Sequence, residues 1–126
     1  MLKEIKTNDA PAAIGPYSQA VAVGNFLFAS GQIPVDPATG NVPEGIEAQA
    51  EQSCKNVGAI LKANGMDYSN VVKTTCFLAD MGDFAKFNEV YAKYFNGSVK
   101  PARSCVAVKA IPKDVLCEVE VLAVKE

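Results

Sequence analysis

The chain has 126 residues, 49% of them hydrophobic and 21% charged, and a formal net charge of −2. That length predicts one domain, residues 1–126, large enough to bury a core, with the composition of a soluble globular protein. The slight acidity and the lack of any Lys/Arg block leave no electrostatic footprint for nucleic acid or an anionic membrane.

No apolar run approaches the length of a membrane span, and Met1-Leu2-Lys3-Glu4-Ile5-Lys6 carries no signal-peptide core. The four cysteines, Cys54, Cys76, Cys105 and Cys117, are widely spaced and form no C-x-x-C pair. They read as reduced thiols in a cytoplasmic compartment. The chain contains no histidine. That removes Ser-His-Asp and Cys-His machinery, and without clustered cysteines it predicts no metal site. Chemistry has to run on Arg, Glu or Asp, Tyr, Ser, Cys, Lys, backbone groups and water.

In chain order, Leu2 and Ile5 mark an edge strand followed by a loop through Asn8-Asp9-Ala10-Pro11. Gly15-Pro16 signals a turn. Alternation from Tyr17 to Val23, then Gly24-Asn25, then Phe26-Leu27-Phe28-Ala29-Ser30 predicts a hairpin with glycine first in its turn. Gly31 follows the return strand at once. It serves either as a plain strand end or as a place of close backbone approach.

Gly45 to Asn64 predicts a helix. Ile46, Ala50, Cys54, Val57 and Leu61 recur at spacings of three and four, and Gly65 closes it. Val71 to Ala79 is Val- and Thr-rich and predicts a strand. Met81 to Phe95 predicts a second amphipathic helix with Phe84, Phe87, Val90 or Tyr91, and Tyr94 on one stripe. Asn88 lies beside that stripe, placed to cap a turn or to serve a site.

Two further alternating runs, Pro101 to Val108 and Cys117 to Val121, predict neighbouring antiparallel strands. Arg103 lies on the first and Glu118 on the second. A strand arginine among small and β-branched residues suits a two-pronged grip on a carboxylate, and a nearby Glu could handle a water or a proton. The competing reading is that both are plain surface strand residues or a simple ion pair. The order β-β, α, β, α, β-β predicts an α+β fold, a mixed sheet with two helices packed on one face. The other face carries apolar residues with nothing in the chain left to cover it, so a second copy is expected there.

Ile14-Gly15-Pro16-Tyr17-Ser18-Gln19-Ala20, Ala29-Ser30-Gly31-Gln32-Ile33-Pro34, Phe87-Asn88-Glu89-Val90-Tyr91 and Pro101-Ala102-Arg103-Ser104-Cys105-Val106 together resemble the RidA (YjgF) family. The resemblance covers nearly the whole chain. It departs at Cys117, where a branched aliphatic is more usual. It implies a chorismate-mutase-like fold and a homotrimer with clefts between subunits. It also implies a deaminase that hydrolyses reactive enamine and imine acids, such as 2-aminoacrylate, without a cofactor. Carried onto matching positions, Arg103 would bind the substrate carboxylate and Glu118 would position or activate water, with Glu120 a rival two residues on. Tyr17, Ser30, Gly31, Asn88 and Cys105 would line the cleft, Gly31 and Cys105 through backbone groups. A non-catalytic trimer that merely holds a small carboxylate is the alternative. Glu118 argues against it, because a pure carboxylate binder gains nothing from a second negative charge.

Overall fold

In the computed structural model, which describes residues 1–126, six strands form one mixed sheet in the order β1-β2-β3-β6-β4-β5. They are β1 (Lys3–Ile5), β2 (Ala20–Val23), β3 (Phe26–Ala29), β4 (Val71–Leu78), β5 (Ala102–Ala107) and β6 (Cys117–Val124). The helices α1 (Ile46–Ala63) and α2 (Phe84–Tyr94) lie on one face. The α+β architecture matches the expectation, including β1 as an edge strand.

The local reasons are legible. Gly24 has φ 56 while Asn25 keeps a negative φ, the glycine-first turn that suits the twist of a two-residue hairpin. Helix α1 ends in a paired cap: Met66 N–H donates to Leu61 O and Gly65 N–H to Lys62 O, with Gly65 at φ 68. Helix α2 begins later than expected. Met81–Asp83 forms a short 3-10 turn, held by the Asp80 carboxylate accepting from Gly82 N–H. The alternation read from Tyr17 becomes strand only at Ala20, because the buried Gln19 side chain is committed to the N-terminal loop, bonding Thr7 N–H and the carbonyls of Thr7 and Pro11. Tyr17 therefore sits on an exposed loop.

Strand order differs from expectation in one place. β5 and β6 are not neighbours; β4 lies between them, parallel to β5 and antiparallel to β6. Helix α2 is the crossover joining β4 to β5, and such a unit lays its two strands side by side in parallel. The remaining edge of β4 then takes β6, which also pairs antiparallel with β3.

The core fills the space between sheet and helices. Leu27, Leu78, Val119, Val57, Ile60, Leu61 and Phe87 are fully buried there. Buried side-chain nitrogen and oxygen atoms are all paired. Among them, Asn56 of α1 donates to Ile33 O and Val35 O, pinning the segment that follows Gly31. The opposite face has no cover within the chain. Phe26, Phe28 and Val106 lie there, each 45–48% exposed.

Candidate active site

Arg103 sits on edge strand β5, in register with Thr74 of β4. Thr74, Cys76 and Leu78 are buried beneath the helices, so Arg103 and Cys105, their neighbours across the ladder, project to the helix side as well. Helix α2 meets the arginine there. Phe84, Asn88 and Tyr91 stand at i, i+4 and i+7, one flank of the helix. The Arg103 guanidinium carbon lies 4.8 Å from the Tyr91 ring centroid and 5.4 Å from that of Phe84. Arg103 Nη1 donates to Asn88 Oδ1 at 2.6 Å. One nitrogen is thus anchored and the guanidinium carbon lies over two rings, while the side chain as a whole remains exposed. It opens into a hollow of about 490 Å³ that Asn88, Tyr91, Lys100 and Pro101 also line.

Cys105 is half-buried, and desolvation raises its thiol pKa, with the Arg103 charge acting the other way. A thiol held in its neutral form is a poor nucleophile.

Glu118 lies on β6 opposite Phe77 of β4, on the uncovered face. It is half-buried, and its carboxyl is pushed above the ordinary glutamate value, first by desolvation and then by the neighbouring Glu120 charge. Gly31 packs directly on this carboxylate; a methyl group on Gly31 would overlap it. Of the two roles open to this glycine, the close approach is the one the fold uses. The adjacent bridge between Gln32 and Val119, with bonds of 2.8 and 3.1 Å, fixes the segment against β6. Ser30 Oγ donates to Ser18 O at 2.7 Å, tying it to the loop that carries Tyr17. Tyr17 and Gly31 line a second hollow, of about 480 Å³, with Ile14, Ile33 and Lys113.

The candidate residues therefore fall into two clusters. Asn88, Arg103 and Cys105 form one, on the helix side. Tyr17, Ser30, Gly31 and Glu118 form the other, around the Gly31–β6 contact. Arg103 and Glu118 project from opposite faces of the same sheet and do not pair with each other within one chain. Phe84, Tyr91 and Thr74 were missed as members of the arginine cluster. The i, i+4, i+7 spacing with Asn88 was the signal that could have found the first two; Thr74 has none in sequence.

Such an arrangement, a supported guanidinium and a half-buried carboxylate on a sheet with one bare face, belongs to a chain that is similar to known proteins over its full extent. Residues 7–125 match the family described as Endoribonuclease L-PSP. A RutC family protein from Pyrococcus horikoshii is 54% identical, with all of both chains covered. A 2-iminobutanoate/2-iminopropanoate deaminase from Escherichia coli is 51% identical, with 99% of each chain covered. Among solved structures, E. coli TdcF with bound serine superposes with a TM-score of 0.95 at 47% identity, covering 98% of this chain and 99% of that one. The chain belongs to this family, the RidA (YjgF) family.

Proposed function

We propose that the protein is a cytoplasmic homotrimer that hydrolyses enamine and imine acids of the 2-aminoacrylate and 2-aminocrotonate type to 2-oxo acids and ammonia, so removing reactive intermediates. The observation that carries this reading is the Arg103 fork, held by Asn88 and two aromatic rings and open to a ligand. The E. coli relative named as a deaminase and the serine bound to TdcF, an amino acid carrying a carboxylate, support the substrate class.

In the proposed reaction, Arg103 holds the substrate carboxylate through two parallel N–H···O bonds. Tyr17, Ser30, Gly31, Asn88 and Cys105 line the cleft. The imine carbon is then presented to a water beside Glu118. Glu118 takes a proton from that water as its oxygen adds to the C=N carbon, and the proton passes to the nitrogen. The hydroxyl proton of the resulting carbinolamine then passes through Glu118 to the amine nitrogen as C=O forms, the C–N bond breaks and ammonia leaves. A carboxyl whose pKa is raised above the ordinary glutamate value by desolvation suits a group that must both accept and return a proton. No metal or cofactor is required by this route.

The two clusters project from opposite faces of one chain, so a complete site needs Arg103 of one copy facing Glu118 of another. The half-exposed Phe26, Phe28 and Val106 supply an apolar surface for that contact. A contact between two different patches is head-to-tail, and head-to-tail contacts whose rotation closes make rings, of which the trimer is a small member. A net charge of −2 gives no support to RNA cleavage, despite the family's description.

The test couples the protein to an enzyme that generates 2-aminoacrylate and follows ammonia and pyruvate, with sedimentation at micromolar concentration alongside. Faster release by a trimer is expected. A stable monomer, or carboxylate binding without faster release, would overturn the reading.

A further inference from the structure

The arginine cluster contains a closed circuit that the proposed reaction does not use. Thr74 is fully buried, yet its hydroxyl is bonded to the Tyr91 hydroxyl at 2.8 Å. The Tyr91 ring is the nearer of the two beneath the Arg103 guanidinium. Arg103 in turn sits beside Thr74 in the β4–β5 ladder. Backbone register, one buried hydroxyl pair and one ring stack thus link three residues into a loop.

Packing alone does not need this. A Thr in a strand buried between Val71 and Cys76 could be Val, and a Tyr on the buried side of α2 could be Phe, with the same shape and no buried polar atoms to satisfy. The hydroxyl pair does something that packing by itself would not: it fixes the rotation and tilt of the Tyr91 ring, because an O–H···O bond is directional where ring packing against Phe87 and Phe95 is not. A fixed ring fixes the plane of the guanidinium resting on it, and a planar fork grips a carboxylate only in one plane.

We propose that Tyr91 and Thr74 are positioning residues for carboxylate recognition. The Thr74–Tyr91 hydroxyl pair holds the aromatic ring that sets the plane of the Arg103 fork, and Asn88 sets its rotation within that plane. This inference rests on the reading of Arg103 as the carboxylate grip.

The role has a kinetic signature. A grip on a carboxylate acts alike in the ground and transition states, so loosening it raises KM and leaves kcat nearly unchanged. Tyr91→Phe and Thr74→Val should each raise KM about threefold to tenfold, and the double variant should do no more than the worse single one, because either change breaks the same bond. Tyr91→Leu, which removes the ring, should raise KM about tenfold to a hundredfold. In an Arg103→Lys background, Tyr91→Leu should change KM less than about twofold, since no planar fork remains to orient.

Binding of 2-oxobutanoate, measured by calorimetry, is the second readout. It should weaken in parallel with the rise in KM. A protein that binds 2-oxobutanoate in a Tyr91-dependent way but releases no ammonia would overturn the deaminase reading and uphold this one. Variants with lowered thermal stability but unchanged KM and unchanged 2-oxobutanoate binding would show that the circuit is only structural. Equal effects of Tyr91→Leu in the wild-type and Arg103→Lys backgrounds would overturn the inference too. Absence of 2-oxobutanoate binding by the wild type would overturn both readings. Should Tyr91→Leu fail to fold, the conservative Tyr91→Phe and Thr74→Val still decide.

Discussion

The two clusters make an instructive pair. Around Arg103, a charge that water would solvate well is supported from beneath by rings and an amide and left exposed. Around Glu118, a charge is half-withdrawn from water, set beside a like charge at Glu120 and pressed against a glycine. The first arrangement orients its group and leaves it open, which suits a binding residue. The second works against ionisation, which suits a proton carrier. They lie two strands apart in one sheet, yet strand alternation turns them to opposite faces. Chemistry that needs both has to be assembled from two copies.

The sharpest way to break this comparison is to separate its halves. Arg103→Ala should leave deamination unmeasurable at substrate concentrations near the wild-type KM, and Arg103→Lys should lose about one to two decades in kcat/KM, because lysine keeps the charge but not the fork. Glu118→Gln should be similarly crippled, by about two to four decades. Unfolding the two inactive variants Arg103→Ala and Glu118→Gln together and refolding them as a mixture should restore about a quarter of wild-type activity, the share of head-to-tail contacts that unite an intact arginine with an intact glutamate. Activity that stays absent in verified mixed assemblies would place both residues in the same subunit's site.

Next in size is Gly31→Ala. Its methyl would meet the Glu118 carboxylate, so the carboxylate must move. A loss of about tenfold to a hundredfold in kcat is expected with oligomeric state unchanged. An unaffected rate would mean that the position of Glu118 does not matter.

A smaller effect concerns stability. Glu118 has a folded-state pKa raised above its unfolded value, so the unfolded chain releases the proton first as pH rises. Stability then falls with rising pH from about 4 until the folded group has also ionised, and the deficit persists at neutral pH. Glu118→Gln should remove that slope and melt a few degrees higher, roughly 1–4 °C, at pH 7 while being inactive. Thermal scans across pH read this directly; a variant that melts lower would assign Glu118 a stabilising role. Arg103→Lys, whose charge is already exposed, should leave the melting temperature nearly unmoved, which sharpens the contrast between the clusters.

The smallest effect is expected at Cys105. Its raised thiol pKa and its strand position point to a contribution through backbone groups, so Cys105→Ala should keep more than about half the activity. Near-complete loss in a folded protein would mean that the thiol takes part.

Much of this was legible in the chain. The Gly24-Asn25 hairpin, both helices, the closing Gly65 and the Val71 strand all follow from spacing and turn chemistry within a dozen residues, because those signals are local. The same holds for the apolar residues of Phe26-Leu27-Phe28 that left one sheet face without cover. The family motifs brought Arg103, Gly31 and Asn88 into view for the same reason, each lying in a short run of adjacent residues, and the alternating run from Cys117 to Val121 had already singled out Glu118.

Strand order and facing were decided only by the tertiary structure. Placing β4 between β5 and β6 depends on β6 passing its sequence neighbour β5 to pair with β4 and β3, strands far earlier in the chain. The facing of Arg103 was equally hidden. On β5, Arg103, Cys105 and Ala107 alternate with Ser104 and Val106, and neither set is clearly the apolar one. Period-two alternation tells which residues share a face, but only the packed helix decides which face is the inside. The Thr74–Tyr91 bond is the extreme case: two ordinary residues, one on a strand and one on a helix, acquire a joint role only when the fold brings their hydroxyls together.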